Sequence, residues 1–442
     1  MLVAALGTTL ATVAHARCDA PDPPDPAPAH DAAAAETSLQ ALVRAAIARS
    51  HAVGAARALA EATAREVDES RAAADPQASL SVSLGPSLAH RAGSDASRAL
   101  SGGASVGVSQ LLWDGGRLAD TVDWRSRLAE AARLAQLSQQ EQVVLASVAL
   151  ALDRNRYQAH ERIYGQYLGK MQCLVESLQT IVAADRGRAS ELLQARKSLQ
   201  QADLARQQAE SRRSQTEIQL RRLVGEALPD TAALAAYWTT LPPLEPLLVE
   251  AERSVEMAQL GAQADAAARL VRVVAAGTRP QLSWTLNGSR DLSWGGGAPT
   301  QHASAVSVGL ALSVPLWNPG VGAAVDAARL REQAAREQLA EALQARRTRV
   351  REVHEQARAT ADRAGRVQAI LADSEQVRQA TLLQWQQLGR RSLFDVMGAE
   401  AEHYNLRVSR IDAQVDGQQL GATLRSLGQG LAGQAGAGTA RR

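Results

Sequence analysis

Side chains able to carry covalent or metal chemistry are few in this chain and do not converge. The two cysteines, Cys18 and Cys173, cannot build a disulfide framework, and the eight histidines are scattered without ligand spacing. Such histidines are read as solvated surface residues. No glycine-rich phosphate loop and no paired catalytic constellation occurs, so the sequence supports neither an enzyme nor a bound cofactor or metal. A net charge of +2 gives no electrostatic case for nucleic acid. The residues placed with regularity are tryptophans. Trp113, Trp284, Trp294 and Trp317 each lie on or beside an alternating apolar stretch. An indole joins an apolar body to one N–H donor, which suits the boundary between lipid and water. Packing in a soluble hairpin is the competing reading.

The elements that carry these tryptophans read as strands. In residues 305–320, Val306, Val308, Leu310, Leu312, Val314 and Leu316 are apolar, while Ser307, Gly309, Ala311, Ser313 and Pro315 between them are small. That two-residue period predicts a strand with one apolar and one small-residue face. No charge falls on either face for about ten residues, the length of a tilted membrane-crossing strand. Trp317 follows, and then Asn318-Pro319-Gly320, where Asn can cap a helix and Pro can occupy its first turn. The stretch 104–113 leads in the same way into Asp114-Gly115-Gly116-Arg117 and a helical pattern. Trp113 and Trp317 are 204 positions apart, as are Pro76 and Pro280, so the chain is an internal duplication. Two further strands are predicted at 79–84 and 281–288, with polar loops at 90–103 and 291–302.

All 15 prolines fall outside residues 87–228 and 320–442, which permits very long helices there. Helices over 113–187 and 317–389 would each reach about 105 Å. Shorter helical stretches at 37–74, 187–224, 247–276 and 390–427 pair up to a similar length. Each half thus reads as one long helix beside two shorter ones stacked end to end. The chain divides into an apolar signal peptide (1–16), a disordered proline-rich lead (17–36), a first repeat (37–228), a linker (229–246), a second repeat (247–427) and a flexible tail (428–442). Beyond residue 16 no stretch is apolar for long enough to be a transmembrane helix.

Four strands cannot close a barrel, and an open edge facing lipid would leave backbone groups unpaired. The barrel must therefore be shared between chains, and small inward residues fit a twelve-stranded lumen from three copies better than an eight-stranded plug. The strand ends LLWDGGR and VPLWNPG, the 204-residue duplication, and the segments RGRASELLQA (186–195) and LGRRSLFDVMGAE (388–400) resemble the TolC-type outer-membrane channel family, over residues 37 to 428.

The resemblance implies an α+β membrane protein. Its homotrimer would form a 12-stranded β-barrel, four strands per chain, in the outer membrane, continuous with an α-helical coiled-coil tunnel in the periplasm. It implies a passive duct without catalytic activity, joined through a periplasmic adaptor to an inner-membrane ABC or proton-driven transporter. In that family a glycine motif at each hairpin tip contacts the adaptor, and the matching positions are Gly187 with Arg186 and Arg188, and Gly389 with Leu388 and Arg390. A glycine that simply permits a turn or tight helix packing is the plainer reading, and it is compatible with adaptor contact. Asp395 matches an aspartate that narrows the pore, and Arg391 an arginine of the restraining network; a solvated helix carboxylate is the alternative for Asp395. Gly398 stands where the family has a second aspartate, and Leu192-Leu193 where it has a Thr-Asp pair, with Glu191 adjacent. The rival from another class is a soluble periplasmic coiled-coil scaffold, which explains the helices but not the four strands.

Overall fold

The computed structural model describes residues 32–89, 97–236, 238, 240–294, 301–388 and 392–434. The chain falls into two compact units: one takes Met1–Val53, Ser138–Ser254 and Gln344–Arg442, the other Gly54–Leu137 and Val255–Leu343.

The second unit holds the sheet. Strands β1 (Gln77–Ala89), β2 (Ser97–Trp113), β3 (Gln281–Trp294) and β4 (Gln301–Ser313) pair antiparallel in the order β1-β2-β3-β4. All are longer than alternation alone marks. β1 runs through Gly85-Pro86 and β2 through Gly102-Gly103, residues that read as turn formers; Pro86 is tolerated because β1 is an edge strand within the chain. The expected loops are correspondingly shorter, and what remains of them, 90–96 and 295–300, falls outside the described residues. β4, by contrast, ends early. Val314 to Trp317 leave the ladder, since Pro315 has no N–H to donate.

Both long helices start from a cap of the same kind. At Asp114, Oδ1 accepts from Gly116 N (3.0 Å) and Oδ2 from Leu118 N (2.6 Å). Gly115 and Gly116 take φ of 68° and 89°, which glycine alone adopts freely. In the second repeat Asn318 Oδ1 accepts from Gly320 N (3.1 Å), as its side chain predicts. The helices are α3 (Arg117–Ala184, 68 residues) and α7 (Gly320–Leu388, 69 residues), each about 100 Å long at 1.5 Å per residue.

The shorter helices are α1 (Ala32–Arg49), α2 (His51–Ala72), α4 (Ala189–Val224), α5 (Leu244–Glu252), α6 (Val255–Ala275) and α8 (Leu393–Leu427). α1 begins inside the expected disordered lead, with Ala35 fully buried. The stretch 37–74 is two helices, because Ser50 Oγ accepts from Val53 N (3.3 Å) and so caps α2. The stretch 247–276 is likewise broken, at Arg253-Ser254.

The first unit is a helical bundle whose packing follows heptads. On α4 the residues Ala195, Ala202, Ala209 and Thr216, seven apart, are buried; small side chains at one seam position let helix backbones approach closely. Three apolar clusters result. One gathers Leu39, Leu42, Val144, Leu152, Leu220 and Trp238; another Ile163, Met171, Leu178, Leu393 and Tyr404; a third Leu248, Val353 and Leu424. Each fully buried large aliphatic side chain contributes about 1.5–3 kcal/mol. The tail's beginning joins the first cluster. Leu431 is fully buried there, while Glu141 accepts from Leu431 N (2.7 Å) and Ala432 N (3.0 Å). Cys173 on α3 is disulfide-bonded.

Candidate functional site

The register makes each face of the sheet continuous across all four strands. On one face Leu80, Val106, Gly288 and Val306 form a row, followed by Val108, Leu286 and Val308, and then by Gln110, Trp284 and Leu310. On the other face the rows read Ser81, Ser105, Ser289, Ala305 and Ser79, Gly107, Asn287, Ser307. Val82, Val306 and Leu310 are 75%, 79% and 72% exposed, so the apolar face is uncovered by the chain's own helices. A contiguous exposed apolar face of this kind marks a surface that meets lipid or another chain.

The tryptophans lie at the ends of this face. Trp284 and Trp294 are ten positions apart on β3 and share the apolar face. At about 3.3 Å per residue they are ~33 Å apart along the strand. A tilt of 35–45° brings that to ~25 Å in height, the height of a barrel's apolar band. Trp284 Nε1 donates to Gln110 Oε1 (2.9 Å), whose amide nitrogen donates to Ala74 O (3.0 Å). Trp294 lies against Gly102, where an added Cβ would come within 3.3 Å of the ring. Trp113 reaches the same face only because a bulge between Leu111 and Trp113 sets it opposite Leu282. Nothing in the alternation announces that bulge. Trp317 is 86% exposed in the irregular segment after β4.

The predicted tip residues lie in the helical unit. Asp185 Oδ1 accepts from Gly187 N (2.9 Å), capping a single 3-10 turn, Arg186–Arg188, that joins α3 to α4. Gly187 is exposed and does not take a positive φ, so its backbone does not demand glycine. What a side chain at Gly187 would meet is the capping carboxylate, since an added Cβ would lie 3.2 Å from Asp185 Oδ1. Arg188 Nε lies 3.5 Å from Glu191 Oε2. Leu192 packs on the second apolar cluster, whereas Leu193 is 67% exposed. Gly389, Arg390 and Arg391 fall outside the described residues.

Asp395 is exposed in the first turn of α8, where it closes a capping box. Ser392 Oγ accepts from Asp395 N (3.3 Å), and Asp395 Oδ2 accepts from Ser392 N (3.2 Å). Gly398 is exposed on the same helix with open space around it.

Sequence reasoning missed a buried polar stripe next to this turn. Along α8, Leu393, Val396, Met397, Glu400, His403, Tyr404 and Arg407 are all buried, at the spacing of a heptad seam. The spacing was there to be read; the apolar expectation broke at Glu400. Arg378 on α7 answers it, with Nη1 3.3 Å from Glu400 Oε2, while its Nε and Nη2 donate to Glu375 at 3.0 and 2.8 Å. His403 Nε2 lies 3.5 Å from Glu375 Oε2. Burial and the nearby Glu400 charge push the Tyr167 hydroxyl up to about 12, with its ring 5.0 Å from Tyr404. Among the described residues no group of histidine, cysteine and carboxylate side chains is arranged to hold a metal.

Residues 42–226 match the model of the outer membrane efflux protein family. The fold is that of solved outer-membrane channels, as the sequence resemblance led one to expect. The Vibrio cholerae outer membrane protein VceC is 18% identical, with 89% of this chain and 97% of that one covered at a TM-score of 0.73. The Campylobacter jejuni outer membrane channel CmeC is 15% identical, covering 89% and 86% at 0.74. The Neisseria gonorrhoeae outer membrane channel MtrE, solved in its open state, is 17% identical, covering 89% and 89% at 0.69. No curated protein sequence matches the chain.

Proposed function

We propose that this protein is the exit duct of a tripartite export system: a passive homotrimeric channel in the outer membrane whose helical tunnel projects into the periplasm. The observation that carries this reading is the sheet with one continuous apolar face and one small-residue face, open at both edges. A single four-stranded sheet cannot sit in lipid with unpaired edges, and pairing β1 of one copy with β4 of the next in a ring removes them. The soluble-scaffold alternative would leave the same apolar face in water. A lumen lined by serine, glycine and alanine recognises little. Substrate choice and energy would therefore come from the inner-membrane transporter, an ABC exporter or a proton-driven pump, engaged through a periplasmic adaptor.

In this reading Gly187 and Arg188, in the single turn that joins α3 to α4, contact the adaptor, and Gly389 and Arg390 are the counterpart positions in the second repeat. Asp395, restrained by Arg391, forms a threefold ring of carboxylates narrowing the tunnel mouth. The test compares Asp395→Ala with Ser392→Ala in planar bilayers. Both variants break the capping box, at about 0.5–2 kcal/mol, but only the first removes the charge. A gate predicts higher conductance and lost cation block in Asp395→Ala alone. Equal effects in both would reduce Asp395 to a helix cap, and no conducting channel from the unaltered protein would refute the duct itself.

A further inference from the structure

Among the described residues, the small-residue face of the sheet carries one charged side chain, Asp291 on β3. Its row across the four strands reads Ser83, Gly103, Asp291, Ala303, and its same-face neighbours along β3 are Ser289 and Ser293. The glycine makes room for it. A methyl group on Gly103 would lie 2.7 Å from Asp291 Oδ1 and 3.2 Å from Ser83 Oγ, so the carboxylate leans across β2 toward β1. Asn287 leans in the same manner over Gly107, with Oδ1 3.1 Å from the position of an added Cβ. The nearest basic side chains in the sheet, Arg290 and Arg98, belong by alternation to the apolar face and project away from Asp291. Asp291 is exposed, and among the described residues it makes no ion pair.

We propose that Asp291 is a specificity-determining residue for transport: three copies form an acidic ring in the barrel lumen that favours cations and cationic solutes over anions. This rests on the trimeric duct argued above, and it is separate from Asp395, which belongs to the helical unit. Twelve strands spaced ~4.8 Å apart and tilted ~40° give a backbone radius of about 12 Å. Three charges at that radius reach the axis in dilute salt, where the screening length is about 30 Å, and vanish at 1 M, where it is about 3 Å. Coulomb attraction through water at this range, summed over three carboxylates, favours a monovalent cation over its uncharged reference by about fourfold at 10 mM salt.

The experiment is the reversal potential of the purified full-length protein in planar bilayers under a potassium chloride gradient, at 10 mM and at 1 M mean salt. The unaltered protein should be cation-selective at 10 mM. Asp291→Asn should lower the cation-to-anion permeability ratio roughly tenfold or more, since the ring that enriches the cation about fourfold depletes the anion by the same factor; Asp291→Glu should keep the ratio, and the difference should collapse at 1 M. Conducting channels whose selectivity is unchanged in Asp291→Asn at 10 mM would overturn the assignment and leave the duct standing. Absence of any conducting channel in the unaltered protein would overturn the duct and the ring together.

Discussion

Replacing Arg378 by Met removes the guanidinium that holds two carboxylates inside the helical unit. Glu400 is 2% exposed and Arg378 8% exposed, so the pair is screened little by water. Removing one partner of a buried pair costs about 3–5 kcal/mol, because the remaining charge is left in low dielectric. The cost falls on local opening of α8, whose seam carries Glu400, His403 and Arg407. At 1.4 kcal/mol per factor of ten, amides of residues 396–407 should exchange with deuterium roughly one hundred to several thousand times faster. The assay is hydrogen–deuterium exchange with mass spectrometry on the detergent-solubilised protein at neutral pH, with residues 306–312 of β4 as the internal reference. The double variant Arg378→Met/Glu400→Met should recover most of the protection, since apolar replacement of both partners is often neutral. Exchange in Arg378→Met within threefold of the unaltered protein, or a double variant as unprotected as the single, would refute the argument.

Leu431→Ala should cost about 2–5 kcal/mol, because the residue is fully buried in the first apolar cluster; faster proteolysis of the C-terminal segment at unchanged strand content would report it. Acid should loosen the helical unit. Burial pushes the Asp412 carboxyl up, but the neighbouring His160 together with Arg156 and Arg212 outweighs it and holds the group below its ordinary value. At Glu375 burial is likewise outweighed, by Arg378, Gln379 and His403. A carboxyl lowered in the folded state stabilises above its unfolded pKa, about 3.9 for Asp and 4.3 for Glu, and that stabilisation is lost as pH falls through the lower folded value. Exchange of α8 amides should therefore rise as pH falls below about 4, less steeply in Asp412→Asn.

The repeats, the long helices and the two-faced strands were legible because each rests on a strong local signal. Pro76 and Pro280 mark the strand starts, proline-free windows mark the helices, and α4 ends at Val224 beside Gly225, as expected. Strand ends were less legible. Gly85-Pro86 and Gly102-Gly103 are turn formers by local preference, yet the ladder continues through them; Gly102 and Gly103 also leave room for Trp294 and Asp291 on opposite faces. The break at Ser50 was readable as a serine cap and was masked by a long helical composition. The bulge that turns Trp113 onto the apolar face depends on pairing with β3, some 170 residues away in the chain, and no local pattern encodes it. In the first turn of α8, Asp395 was singled out for its charge, and its reciprocal bond to Ser392 was not foreseen, although Ser-x-x-Asp before an apolar run resembles a capping box. Arg378 and Glu400 were missed because a charged pair in a heptad seam is visible only once two helices are known to face each other.

In the proposed trimer the four strands of one chain are a third of a barrel. It is tested most directly by the native mass of the protein extracted in detergent from isolated outer membranes, corrected for bound detergent. A shared barrel gives the mass of three chains. A monomer that stays soluble without detergent would contradict it, since the exposed face of Val306, Val308, Leu310 and Leu312 would then have no lipid to meet and β1 and β4 no neighbouring chain to pair with.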